Sequence, residues 1–151
     1  MSLRKAGIDD INSIVKIEKI SHEKPYWNES LLKYLFNNSM TESVWIFEFK
    51  KKIIGFLIEQ RCLDEISILN VAVDKKYQNN GFGKKIISQY LNILPNNSVV
   101  CLEVNINNFI ARKIYTSLNF ERVDSRKNYY NSGEDALIMR YIKNSIYHGL
   151  V

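Results

Sequence analysis

The chain has 151 residues, 46% of them hydrophobic, which suits a single domain at 1–151 with one apolar core. No apolar run approaches the ~20 residues of a membrane span and the first residues lack the apolar segment of a signal peptide, so we expect a cytoplasmic protein without membrane association. The formal net charge of +5 favours an anionic ligand.

Apolar periodicity predicts alternating strands and helices along the whole chain. Ile11, Ile14 and Val15 recur at helical spacing, and Asp9 or Asp10 can cap the helix that contains them. The order of the elements predicts an α/β (α+β) fold, with helices on the faces of a mixed sheet. The predicted elements are a strand at 3–6, a helix that begins near residue 10, a helix at 29–36, a hairpin of strands at 43–49 and 53–60, a strand at 66–73, a helix at 84–94, a strand at 98–104, a helix at 108–118, and strands at 120–125 and 135–142.

The cysteines and histidines follow no metal or disulfide pattern. Cys62 and Cys101 lie in apolar, strand-like runs, where we expect buried and reduced thiols. Neither His22 nor His148 has a second ligand at a metal-binding spacing. The sequence therefore predicts neither a disulfide nor a metal site.

A glycine-rich segment, Gln78-Asn79-Asn80-Gly81-Phe82-Gly83, lies between a predicted strand and a predicted helix. Glycine lets the backbone approach a phosphate, and the free N–H groups and positive dipole end of the helix then face it. The segment lacks the third glycine of the dinucleotide fingerprint and the Gly-Lys-Ser/Thr of the nucleoside-triphosphate loop. The remaining pattern, V-x-x-x-x-Q-x-x-G-x-G from Val73 to Gly83, predicts a cradle for another anionic ligand.

This loop resembles the pyrophosphate loop of the Gcn5-related N-acetyltransferases (GNATs), which bind acetyl-coenzyme A. The chain from 69 to 141 is similar to the ribosomal-protein-alanine N-acetyltransferases of the RimI type. Asn119 departs from the glycine that is usual there, but asparagine tolerates the left-handed conformation of a helix C-cap. The matching residues are Leu102-Glu103-Val104, Asn108, Ala111, Tyr115, Leu118, Asn119-Phe120, Arg126-Lys127-Asn128-Tyr129-Tyr130 and Glu134-Asp135-Ala136-Leu137-Ile138-Met139.

The resemblance implies the GNAT fold, a mostly antiparallel sheet of six to seven strands with splayed central strands and about four helices. It implies acetyl-coenzyme A as the cosubstrate, with no metal, held by the loop and by main-chain groups of the splayed strand. Asn108 would bind the pantetheine arm or the phosphate region, and from the residues alone it would cap its helix. The implied cofactor-binding residues are Val71, Ala72, Val73, Gln78, Asn79, Asn80, Gly81, Phe82, Gly83, Lys84, Asn108 and Tyr115.

Glu103 stands out because it is the one carboxylate in the apolar run at 98–104. Burial of a carboxyl group is costly and raises its pKa toward a range useful for proton transfer, whereas a position at the strand end would let it bond to a loop. In the resembled family this position is the general base, which takes a proton from the incoming amine, usually through water. Tyr115 matches the general acid that protonates the departing thiolate, although its periodicity also fits a core tyrosine.

The expected acceptor is the N-terminal α-amine of a protein, and the resemblance points to alanine of a small-subunit ribosomal protein. An α-amine titrates near ~7.7–8.0 and a lysine near ~10.4, so the α-amine costs about 3 kcal/mol less to deprotonate. Tyr129 and Tyr130 would line the acceptor groove, or else form an ordinary aromatic hairpin. Glu18 would contact the acceptor amine, or lie at the helix surface. We expect a monomer or a weak dimer.

Three other functions fit parts of the sequence. A GNAT of the same fold could acetylate a lysine side chain, a polyamine or an antibiotic. A nucleic-acid-binding module would explain the charge and the 12% aromatic content, but the chain has no clustered basic face or nucleic-acid motif, so we expect no direct nucleic-acid binding. A noncatalytic acetyl-coenzyme A sensor would keep the loop, but the presence of both Glu103 and Tyr115 argues against it.

Overall fold

The computed structural model describes residues 2–144, which form seven strands and four α-helices. The predicted domain at 1–151 extends beyond this part of the chain, and His148 lies outside it. Every predicted helix and strand is present, with ends that differ from the expected ones by at most two residues. The elements are β1 (Ser2–Lys5), α1 (Ile11–Ser21), α2 (Glu29–Asn38), β2 (Glu42–Phe49), β3 (Lys52–Cys62), β4 (Glu65–Val73), α3 (Phe82–Ile93), β5 (Val99–Asn105), α4 (Phe109–Ser117), β6 (Glu121–Arg126) and β7 (Ala136–Ile142), with short 3-10 helices at Ile8–Asp10 and Lys75–Tyr77 that the sequence did not predict.

The strands form one sheet in the order β1-β2-β3-β4-β5-β7-β6. Neighbouring strands are antiparallel except for β4 and β5, which are parallel. Residues 65–68 of β4 pair with residues 99–102 of β5, and the pairing stops there, although β4 continues to Val73 and β5 to Asn105. The expected mixed sheet with splayed central strands is therefore confirmed, and a cleft opens where β4 leaves β5.

Two pairs of helices cover the two faces of the sheet and close two apolar cores. α3 and α4 pack on one face, where Phe47, Ile86 and Tyr90 are fully buried. α1 and α2 pack on the other face around Ile14 and Leu32. Among the described residues, this second core draws on β2, β3 and β4 but on neither β5 nor β7. The outer face of β5 and β7 is thus left open to a ligand.

A β-bulge in β4 sets the direction of the groups at the mouth of the cleft. The pairing of β4 with β3 shifts by one residue, which leaves Leu69 as an extra residue between Ile68 and Asn70. Ile68 and Val71 consequently both face the core beneath α3, although they are three residues apart. The side chain of Asn70 turns instead toward α1.

Several helix ends are held by side chains that the sequence did not identify. Of the two expected cap residues, Asp9 and Asp10, Asp10 does occupy the N-cap position of α1, but its carboxylate makes no capping bond there. It accepts from Gly7 N–H at 2.8 Å and pairs with Arg4 instead. At the end of α3, the Lys143 ammonium group donates to three main-chain carbonyls at 3.0, 2.8 and 2.6 Å. The left-handed conformation expected at Asn119 is confirmed by its φ of +69°.

The cysteines differ from expectation in one respect. Cys62 is exposed at the end of β3, because that strand runs two residues further than the apolar pattern indicated, and Cys101 is half-buried in β5. Both are free thiols. Within residues 2–144, no helix is long and apolar enough to cross a membrane, and no three His, Cys, Asp or Glu side chains gather closely enough to hold a metal ion.

The close packing of α3 on the sheet leaves no room for a side chain at Gly55 in β3. A Cβ atom there would lie 2.6 Å from Ile86 Cδ1 and 2.9 Å from Ala72 O. We expect Gly55→Ala to lower the free energy of unfolding by ~1–3 kcal/mol, as overpacking does, measured by urea denaturation. Gly7→Ala is the control, since its Cβ would meet nothing within 4 Å. Equal stability of the two variants would contradict the packing described here.

Candidate active site

A groove of about 320 Å³ lies at the cleft where β4 leaves β5; we call it the loop groove. Its walls come from the end of α1, the end of β4, the loop at 78–83 and the first turns of α3 and α4. The side chains of Asn80 and Lys84 are not among its walls. The residues predicted to bind the cofactor that do line it are Val71, Ala72, Val73, Gln78, Asn79, Gly81, Phe82, Gly83, Asn108 and Tyr115.

Hydrogen bonds within the loop hold it against the end of β4. The Gln78 side chain donates to Val73 O at 2.9 Å, and the Asn80 side chain donates to Gln78 O at 2.9 Å. Gly81 has a φ of +81°, in the left-handed region that glycine adopts readily. Asn80 therefore shapes the loop without reaching the groove.

The start of α3 presents free main-chain donors beside the loop. Lys85 N–H is the first to bond back, to Gly81 O at 3.1 Å, so the N–H groups of Phe82, Gly83 and Lys84 have no helical acceptor. These donors, together with the positive end of the helix dipole, favour a bound anion such as a pyrophosphate. Lys84 is thus one of the three residues with a free N–H at this helix start, although it does not line the loop groove.

Asn108 and Tyr115 enter the loop groove from α4. Asn108 Oδ1 accepts from Ala111 N–H at 3.2 Å, so the expected cap of this helix is confirmed. The ring of the half-buried Tyr115 lies 5.7 Å from that of Phe120. Burial, with a smaller contribution from Tyr130, raises the pKa of Tyr115 to about 12. Tyr115 is therefore a protonated phenol at neutral pH.

A second groove, of about 490 Å³, contains Glu103 and is called the Glu103 groove. Leu102 and Val104 are buried in the core beneath α3, and strand alternation points Glu103 to the opposite face. Its side chain is 31% exposed and its Oε1 lies 3.1 Å from Arg126 Nη1. The expected burial of Glu103 is therefore wrong, because only every second residue of β5 faces that core.

Two tyrosines adjoin Glu103 in the loop between β6 and β7. Tyr129 lines the Glu103 groove and donates a hydrogen bond to the Glu103 carboxylate, which raises the pKa of Tyr129. The pKa of Tyr130 is raised first by burial and then by the charge of Glu103. Tyr130 in turn makes a smaller electrostatic contribution to the raised pKa of Tyr115. The structure therefore brings Glu103, Tyr115, Tyr129 and Tyr130 into one electrostatically linked cluster.

Glu18 lies outside this cluster. Its side chain is 1% exposed, and its two oxygens accept from Trp27 N–H, from the Asn70 amide and from His22. It lines neither groove, so a direct contact with an acceptor amine would require these bonds to break. His22 and Asn70 were not predicted; the spacing of four residues between Glu18 and His22 on one helix was the available signal.

The chain is similar to known acetyltransferases in both sequence and fold. Residues 10–120 match the model of the acetyltransferase (GNAT) family. The chain belongs to the GNAT acetyltransferase family. It is 38% identical over 141 residues to a ribosomal protein bS18-alanine N-acetyltransferase of Haemophilus ducreyi, with 86% of this chain and 92% of the relative covered. The identity to the enzyme of that name from Escherichia coli strain K12 is 33% over 137 residues, with 86% and 89% covered.

The fold agrees with a solved structure of the same kind of enzyme. The crystal structure of the ribosomal-protein-S18-alanine N-acetyltransferase from Escherichia coli superposes with a TM-score of 0.84 at 28% identity, with 99% of this chain and 98% of that one covered. This GNAT is therefore an acetyl-coenzyme A-dependent N-acetyltransferase of RimI-like sequence. The resemblance stated from the motifs is confirmed, and so is the GNAT fold.

Several residues of the two grooves were missed by sequence reasoning. Ser21, His22, Ile110 and Ile114 line the loop groove, and Arg126 pairs with Glu103. Arg126 belongs to the matched R-x-N-Y-Y pattern, which was a usable signal. The end of α1 carried no such signal, because only the tertiary fold brings it to the loop.

Gly81 offers a test of cofactor binding at the loop. Gly81→Ala places a side chain at a φ of +81°, so the loop must relax and then be rebuilt when coenzyme A binds. A strain of ~1–2 kcal/mol corresponds to a loss of affinity of ~5–30-fold, measurable by isothermal titration calorimetry. Gly133→Ala is the matched control, since Gly133 has a φ of +94° in the loop after β6. If both variants bind coenzyme A with the same affinity, the loop is not part of the binding site.

Proposed function

We propose that this GNAT acetylates the N-terminal α-amine of a protein, with an N-terminal alanine of a small-subunit ribosomal protein as its substrate. The observation that carries the proposal is the pair of grooves at the gap between β4 and β5, one containing Tyr115 and the other Glu103. Acetyl-coenzyme A would occupy the loop groove and the peptide N-terminus the Glu103 groove. The names of the relatives support the choice of acceptor.

Glu103 is assigned the role of general base. Its carboxylate is partly exposed, pairs with Arg126 and accepts a hydrogen bond from Tyr129, which orient it and leave room for a bridging water. Glu103 then takes a proton from the α-ammonium group, directly or through that water. The neutral amine attacks the thioester carbonyl carbon, and a tetrahedral intermediate forms.

Main-chain donors of β4 are assigned to the developing oxyanion. Val73 O accepts from Ser21 Oγ and from Gln78 Nε2, both at 2.9 Å, so the main-chain groups of Val73 point away from β3. Alternation along the strand aims Val71 N–H in the same direction, into the cleft. A donor fixed before the reaction stabilises the oxyanion without reorganisation.

Tyr115 is assigned the role of general acid. When the carbon–sulfur bond breaks, the phenol gives its proton to the thiolate of coenzyme A. The nitrogen loses its second proton, which returns through water to the phenolate, and the amide product forms. An acyl-cysteine route through Cys101 has no support, because burial and the neighbouring Glu65 raise the pKa of this thiol to about 11. A protonated thiol is a weak nucleophile, which favours direct transfer.

Two variants test the proton-transfer roles. Tyr115→Phe should lower kcat by ~10²–10⁴-fold while coenzyme A affinity stays nearly unchanged. Because burial raises the pKa of Tyr115 to about 12, the acid stays protonated, and the wild-type rate should not fall through its deprotonation at mildly alkaline pH.

Glu103→Gln should slow acetyl transfer most at low pH. The rate of this variant should recover partly as the pH rises, because the acceptor amine then loses its proton unaided. Tyr34→Phe, on the exposed face of α2, is the control, and full turnover by both active-site variants would refute the roles.

The acceptor is tested with a peptide panel and mass spectrometry. A peptide that begins with Ala or Ser should be acetylated on its α-amine, because that amine loses its proton more easily and a small first side chain can approach Val71. The same peptide with a blocked α-amine should not react at an internal lysine. Transfer mainly to lysine or to a free polyamine would refute the N-terminal acceptor and leave the acetyltransferase activity standing.

A further inference from the structure

A buried carboxylate on α1 connects three separate segments of the chain. Glu18 Oε2 accepts from Trp27 N–H at 3.0 Å, in the segment that precedes α2. The Asn70 amide of β4 donates to both oxygens of Glu18, at 3.1 and 3.2 Å. His22 Nε2, at the end of α1, lies 3.0 Å from Glu18 Oε1.

The bonds of Glu18 offset the cost of burying it. Burial alone would raise the pKa of Glu18, but the hydrogen bonds from His22, Trp27 N–H and Asn70 outweigh burial and hold this pKa below its usual value. The hydrogen bond to Glu18 in turn raises the pKa of His22. A buried charge with donors on both oxygens has a fixed orientation, and so have its donors.

Asn70 lies directly before the residue assigned to the oxyanion. Within residues 2–144, β4 has no strand partner on its β5 side after residue 68, so the described sheet holds Val71 from one side only. The bond from Asn70 to Glu18 secures β4 just before Val71. The bond from Ser21 Oγ to Val73 O, at 2.9 Å, secures it just after.

We propose that Glu18 is a positioning residue, which acts through Asn70 to fix the Val71 N–H group in the cleft. This inference rests on the proposed acetyl transfer and deepens it. The end of α1 replaces the missing strand pairing at the point where the thioester carbonyl would lie. Glu18 touches no substrate, and its effect on the reaction passes through β4.

The proposal is tested by exchanging the two partners. In Glu18→Gln, an amide replaces the carboxylate that accepts from Trp27, Asn70 and His22. In Asn70→Asp, the new carboxylate faces that of Glu18. Each single variant should therefore lower kcat. The loss should be about tenfold or more, since a 1 Å displacement of a reacting group costs up to ~10²-fold. The KM values for both substrates should change little, because the oxyanion forms only in the transition state.

The double variant Glu18→Gln/Asn70→Asp should recover much of the lost kcat, because the new amide can donate to the new carboxylate. Leu35→Ala, in the core beneath α2, is the control for destabilisation. It should lower the unfolding free energy yet keep kcat at a temperature where it stays folded. Wild-type kcat in Glu18→Gln, or no recovery in the double variant, would overturn the proposal.

A readout that does not depend on activity separates this proposal from the proposed function. Hydrogen exchange at the Ala72 amide, which follows Val71 and faces β3, should be faster in Glu18→Gln than in the wild-type chain, and slower again in the double variant. Unchanged exchange would contradict the anchoring even if kcat fell. If the wild-type chain acetylated no α-amine, the proposed function would fail, and the exchange rates would still decide whether Glu18 anchors β4.

Discussion

The parting of β4 from β5 after Ile68 and Leu102 is the constraint on which the rest of the molecule depends. A parallel pair that continued to its end would satisfy its main-chain groups within the sheet and leave no passage between the two faces. Because the pair stops early, free main-chain groups remain at the edge of β4. The loop groove and the Glu103 groove lie beside this gap, and in the proposed function the acyl donor enters by the first and the amine by the second.

A strand that loses its neighbour needs other support, and here it comes from side chains. Gln78 and Ser21 both bind the carbonyl of Val73, and Asn70 is held by the buried Glu18. The bulge at Leu69 is what turns Asn70 toward α1. The loop after β4 is fixed in the same way, so the proposed phosphate cradle and the proposed oxyanion donor lie on one short length of chain.

Local patterns predicted much of this structure, and contacts distant in sequence account for the rest. Apolar periodicity predicted every strand and α-helix but neither 3-10 helix, and the family resemblance singled out Glu103, Tyr115, Tyr129 and Tyr130. The exposure of Glu103 was missed, because an apolar run does not reveal that only one face of β5 meets a core. Glu18 and Asn70 are 52 residues apart, and no local pattern could pair them.

The central claim is that main-chain groups at the open edge of β4 and at the start of α3 receive the acyl donor. Backbone amide NMR of the 15N-labelled chain, titrated with coenzyme A and then with an acetyl-coenzyme A analogue, tests this most directly. The account predicts large shifts at Phe82, Gly83 and Lys84 with both ligands, and an added shift at Val71 only when the thioester carbonyl is present. A Val71 amide unaffected by the carbonyl, or shifts confined to β6 and α2, would contradict it.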